Sequence, residues 1–143
     1  MPGFYQTLFT VSFVGLSWYG MLAVHELGHV LGAVLTGATV ERVVLHPLTI
    51  SRTDVSPNPY PAVVVWLGPV VGCLFPLAAW WTVPHSWTLL RNTGCFFAGF
   101  CLIANGLYLA VGSVQGVGDC HEMLRTGTSE WLLIAFGAVT VPA

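Results

Sequence analysis

Charge is what this sequence most lacks. Only 7% of its residues are Asp, Glu, Lys or Arg, against about 25% in a soluble domain. There is no lysine, and the four basic side chains are Arg42, Arg52, Arg91 and Arg125. This deficit excludes an ordinary soluble globule and leaves a membrane protein, with the lipid bilayer as a partner. A net charge of −2 with no basic patch excludes nucleic-acid binding, which needs cations to meet phosphates. Cysteines are also few. Cys73, Cys95, Cys101 and Cys120 form no C-x-x-C pair. Three of them fall in apolar segments, where a free thiol behaves as a small hydrophobe, so neither disulfides nor a cysteine-based structural zinc site is expected. The N-terminus lacks the positive n-region of a cleaved signal peptide, and its apolar run is too long for one.

What the chain has instead is long apolar runs, at residues 4–36, 61–83, 93–114 and 131–143. About 20 apolar residues span a bilayer. The first run meets no helix breaker before Gly37. As one helix it would reach about 50 Å, well beyond a hydrocarbon core of roughly 30 Å, so it must tilt or protrude. The last run covers only about 20 Å as helix, and reads as half a span or as part of a longer one. The expected fold is therefore all-α and membrane-embedded, with three to four transmembrane helices in a single unit over residues 1–143. One small β element is expected beside them. Residues 39–53 alternate and are rich in β-branched side chains, with His46-Pro47 as a turn, which predicts a hairpin. Residues 56–61, Ser-Pro-Asn-Pro-Tyr-Pro, predict a stiff linker. Residues 113–129 read as a Gly-rich polar loop. The loops after the first and third spans carry Arg42, Arg52 and Arg125, against Arg91 alone in the turn between spans two and three. The positive-inside bias puts those loops, the hairpin included, in the cytoplasm. Trp80, Trp81 and Trp87 would then form an aromatic belt at the outer interface.

One stretch breaks the uncharged pattern. His25-Glu26-Leu27-Gly28-His29 lies between two runs without any Asp, Glu, Lys, Arg or other His. Ionisable groups inside a membrane helix are costly and usually functional. Residues four apart share one helical face, so His25 and His29 can bind one ion. Glu26 is rotated about 100° from His25 and borders that face, where it can take a proton from an attacking water. An H-E-x-x-H helix supplies two zinc ligands and a general base. Gly28 and Gly32 form a small-xxx-small pair that lets another helix approach closely.

A catalytic zinc site needs three protein ligands and one open position. The third must come from elsewhere on the same side of the membrane. Gly118-Asp119-Cys120-His121-Glu122 lies there. Asp119 is the leading candidate, with Glu122, His121 and Cys120 as chemically able rivals, and His46 and Asp54 behind them. The competing reading is a zinc-binding membrane protein without proteolytic activity: a transporter, a scaffold or an inactive relative. A transporter would carry ionisable groups along several spans, whereas spans two and three hold almost none.

Taken together, these residues resemble a known family. His25-Glu26-Leu27-Gly28-His29 late in a membrane helix, a β-like stretch, Gly68-Pro69 in the next span, then an Asn and a Gly-Asp toward the end of a third look like the site-2 protease family of intramembrane zinc metalloproteases. The resemblance covers residues 4–124. In that family the third ligand is an Asp in an N-x-x-P-x-x-x-L-D-G motif. Here Asn105 is followed by Gly106-Leu107-Tyr108 without proline, Asp119 comes fourteen residues after Asn105 rather than eight, and Cys120 stands for the glycine. By family analogy Asn105 positions substrate near the metal. No PDZ-like module is read in these residues, so the resemblance is to a short member. It implies Zn2+ as cofactor, His25, His29 and Asp119 as ligands, Glu26 as base, and cleavage of membrane-anchored protein substrates within or near their transmembrane segments. An integral protein of the cell (inner) membrane is expected, with its active site toward the cytoplasm on the arginine count. An extended substrate could add as a strand to the edge of the hairpin. The sequence does not reveal the oligomeric state.

Overall fold

A computed structural model describes residues 2–143. Three long helices run back and forth: α1 (Pro2–Thr36), α2 (Pro61–Thr82) and α3 (Thr88–Gln115). Each is long and apolar enough to cross a membrane. The chain is thus a mostly helical integral membrane protein. Between α1 and α2 lies a two-stranded antiparallel sheet, β1 (Val40–Val44) with β2 (Arg52–Val55). Two short helices follow α3, namely α4 (Asp119–Arg125) and α5 (Glu130–Thr140).

The boundaries follow from local chemistry. α1 runs unbroken until Gly37, the first residue after it that favours a stop. α2 opens with Pro61 at its start, where a missing N–H costs nothing, and continues through Pro69 and Pro76. Proline is tolerated inside membrane helices when neighbours satisfy the freed carbonyls. α3 begins at Thr88, five residues earlier than expected. Arg91, expected in the turn between spans two and three, is helical. Its guanidinium donates to the Val83 carbonyl at 3.1 Å and lies over the Trp80 ring, 5.0 Å from the centroid. It thereby binds the end of α2 to the start of α3. The hairpin is present, with its second strand extending to Val55 and a loop, residues 45–51, between the strands. A further correction concerns residues 113–129. They are not all loop, because residues 119–125 form α4. This helix has acids in its first turn and Arg125 in its last, as the helix dipole favours. α5 spans only about 16 Å and packs along α3.

α1 packs chiefly on α2, and α2 in turn on α3. The closest approach is at Gly28, where a Cβ would overlap the Leu67 carbonyl and come within 2.8 Å of Gly68 Cα. No side chain fits there. The buried cluster of Val65, Leu109, Cys120, Met123 and Leu133 joins α2, α3, α4 and α5. Its role is positional, because Cys120 and Met123 clamp α4 against the bundle and so fix the residue at its start, Asp119. The outward faces carry large exposed apolar side chains such as Phe4, Phe9, Leu16, Leu35 and Trp81, a surface that suits lipid rather than water.

Candidate metal centre

His25, Glu26 and His29 are buried even though they are ionisable. They lie in the C-terminal part of α1, where it meets the start of α2 and the end of α3. That end of the bundle also carries the hairpin and α4. The His25 and His29 rings meet edge to face, with their Nε2 atoms 3.1 Å apart. Asp119 closes the group. Its Oδ2 lies 2.8 Å from His25 Nε2 and 3.4 Å from His29 Nε2. Among the described residues this is the one group of three metal-competent side chains that converges, with ligand atoms within 4.8 Å of one another.

The outer nitrogens explain why the inner ones face each other. His29 Nδ1 lies 2.9 Å from the Val64 carbonyl, which can only accept, so Nδ1 carries the proton. His25 Nδ1 lies 2.6 Å from Asn105 Oδ1. The amide of Asn105 is itself fixed, because its Nδ2 donates to the Cys101 carbonyl at 2.8 Å. Asn105 is therefore an acceptor toward His25, and is held by it rather than left free to meet a substrate. With both Nδ1 atoms protonated, both Nε2 atoms present lone pairs inward. Two lone pairs and a carboxylate oxygen then converge with no donor between them, an arrangement that a cation completes. Zinc bonds of about 2.0–2.2 Å in a tetrahedron place ligand atoms about 3.3 Å apart. The observed spacings lie close to that, so the residues fit the ion.

Asp119 is aimed by two neighbours. Its backbone N–H donates to the Tyr108 hydroxyl at 2.9 Å. Gly118 precedes it at φ +55°, and a Cβ there would run into that same hydroxyl. Burial pushes the Asp119 carboxyl up, but the proximity of the His25 and His29 imidazoles outweighs it and holds the group below the usual carboxylate range. It is a carboxylate at neutral pH.

The rival residues lie elsewhere. Cys120 is fully buried, with its Sγ toward the Tyr108 and Leu109 carbonyls. Glu122 pairs with Arg125, whose Nε donates to it at 2.8 Å, and that pairing lowers its pKa. His121 is exposed. His46 is exposed, and its Nδ1 accepts from the Leu48 N–H. Asp54 is engaged by Arg42 and Arg52, the first of which holds its carboxyl low.

Thr53 did not stand out in the sequence. Its hydroxyl donates to Glu26 Oε2 at 2.7 Å. Nor did Trp18, whose indole N–H donates to the Pro47 carbonyl at 2.9 Å and ties the loop 45–51 to α1. Only the general period-2 pattern of a strand pointed to Thr53 as inward-facing. Two cavities meet at the centre. One of about 620 Å³ lies between α1, α3 and the loop, and is mostly apolar except where His25, Glu26, Asn105 and Asp119 reach it. The other, about 260 Å³, has a more polar wall that includes Arg52, Thr53, Asn58 and Glu122.

Two histidines one turn apart inside a membrane span, with a carboxylate brought to them, form a set that could hold a metal ion. The chain belongs to the Peptidase M50B-like family, a site-2 protease family, which it matches over residues 9–118. Members of the wider family are in general zinc metalloproteases. The matched stretch includes residues 25–29 and ends just short of Asp119, so it is silent on the carboxylate. No curated protein and no solved structure matches the chain.

Proposed function

We propose that this chain is a zinc-dependent intramembrane endopeptidase. It hydrolyses peptide bonds in or near the transmembrane segments of membrane-anchored proteins. One observation carries the reading: the convergence of His25 Nε2, His29 Nε2 and Asp119 Oδ2 beside the buried Glu26. His25, His29 and Asp119 would hold the zinc. When bound, the ion supplies Lewis acidity, which makes water a nucleophile near neutral pH. Glu26 takes a proton from the attacking water and later hands it to the leaving amine. Asn105 and the Val64 carbonyl keep the two imidazoles turned inward. The larger, apolar cavity receives the substrate segment, and the smaller, polar one admits water. Peptide bonds in a membrane helix are hydrogen-bonded and shielded, so the segment must unwind to reach Glu26. The hairpin edge offers it strand pairing once extended. Residues 1–143 act as one catalytic core. Arg42, Arg52 and Arg125 on the hairpin side favour a centre that faces the cytoplasm of a cell (inner) membrane.

The test is Glu26→Gln. The protein should keep its zinc, because Glu26 is not a ligand, and lose cleavage of an apolar single-span peptide labelled with a fluorophore and a quencher. Cleavage at the wild-type rate by this variant would end the assignment.

A further inference from the structure

The catalytic proposal leaves open what holds the base. A glutamate has a long, flexible side chain, and fixing one costs rotamer entropy. Glu26 is 3% exposed, so water does not orient it. Among the described residues a single side-chain hydrogen bond reaches its carboxylate, and that bond comes from Thr53 on β2. The geometry points to Thr53 as a positioning residue for the base, delivered by the hairpin.

Four observations support this. First, the donor is well matched to its task. Threonine is β-branched and stiff at χ1, and it sits on a strand paired with Val43, so its hydroxyl is held from two directions. Second, the bond uses only Oε2, which leaves the other carboxylate oxygen free for a water. Third, the bond lies where the two cavities meet, since Glu26 lines the larger and Thr53 the smaller. Fourth, the hairpin is tied to α1 at a second point, Trp18 to Pro47. The seating of the hairpin on α1 therefore sets the aim of the carboxylate. A substrate strand that pairs with the hairpin would meet a base already oriented. Thr53 touches neither substrate nor reacting atoms, and acts through Glu26 alone.

This inference rests on Glu26 as base, and the test separates the two. Thr53→Val, Thr53→Ala and Thr53→Ser are purified beside Glu26→Gln, and kcat, KM and zinc content are measured with the labelled single-span peptide. A hydrogen bond to a charged group corresponds to about 10- to 100-fold in rate. Val and Ala should both lower kcat by that factor, with KM within about twofold, zinc retained and Ser close to wild type. The infrared carboxylate band of Glu26, isolated as the difference from Glu26→Gln, should shift in Val and Ala but not in Ser. Wild-type kcat in Val and Ala, with Glu26→Gln inactive, would overturn the positioning role and leave the base intact. A loss confined to Val, which points to a methyl clash, would overturn it as well, and so would loss of zinc in Ala. Activity in Glu26→Gln would remove the reading beneath it.

Discussion

At the residue scale, the centre is a set of acceptors forced to converge. Asn105 is the clearest case. It is 1% exposed, its Nδ2 is committed to Cys101, and its Oδ1 therefore faces His25. Partners that orient a ligating histidine are typically worth 10- to 100-fold in metal affinity. Asn105→Leu should weaken zinc binding by about that factor, measured by competition with a chelator, while Asn105→Asp, which keeps an acceptor, should lose less. Equal affinity in Asn105→Leu would mean that the tautomer of His25 is set by something else. Much of this scale was legible in advance. His25 and His29 declare themselves by their spacing and by the uncharged residues around them. The carboxylate was legible only as a ranked choice with Asp119 first, because it lies 94 positions from His25. The choice among Asp119, Cys120, His121 and Glu122 depends on which way α4 is rolled. Buried Cys120 and Met123 set that roll, and the Tyr108 hydroxyl sets the start of the helix.

At the scale of elements, α1 and α2 are held at contact distance by Gly28 against Leu67 and Gly68. The neighbouring atoms there are backbone and cannot swing aside. Gly28→Val should cost at least about 1–3 kcal/mol, seen as a lower thermal midpoint in micelles, and should release zinc as His29 moves from Val64. A fully stable, zinc-loaded Gly28→Val would contradict the packing described. The hairpin carries its own prediction. Proline at Val43, the residue paired with Thr53, disfavours the strand there, and should reduce cleavage without removing zinc. Spans one and two were readable from their length and their terminating residues. The start of α3 was misplaced because Arg91 looks like a loop residue until its guanidinium is seen folded back on Trp80 and Val83. α4 was missed because seven residues are too few for a periodic pattern. Its acid-first, base-last order was the only local sign.

At the scale of the molecule, three spans alternate, so α1 and α3 end on the same side as the hairpin, α4 and the His25–His29–Asp119 cluster. The opposite end carries the turn between α2 and α3, with Trp81 and Trp87 exposed and Arg91 lying over Trp80. The proposed orientation, drawn from arginine placement, turns the hairpin end toward the cytoplasm. A cysteine placed at exposed Leu48 should react with a membrane-impermeant maleimide in inside-out vesicles, and one at Ser86 in right-side-out vesicles. The reverse labelling would invert the topology. Fold class was the most legible feature here, because scarcity of charge and the length of the apolar runs are whole-chain properties. The larger cavity was not legible, because its walls come from α1, α3 and the loop 45–51, which are distant in sequence.

The central claim is that His25, His29 and Asp119 hold one zinc ion. X-ray absorption at the zinc edge, with metal content, on the purified protein and on Asp119→Ala tests it most directly. The account predicts one zinc per chain with two imidazoles and a carboxylate oxygen in its shell, and loss or marked weakening of binding in the variant. A metal-replete protein without zinc, or the same two-imidazole, one-carboxylate shell surviving intact in Asp119→Ala, would contradict it.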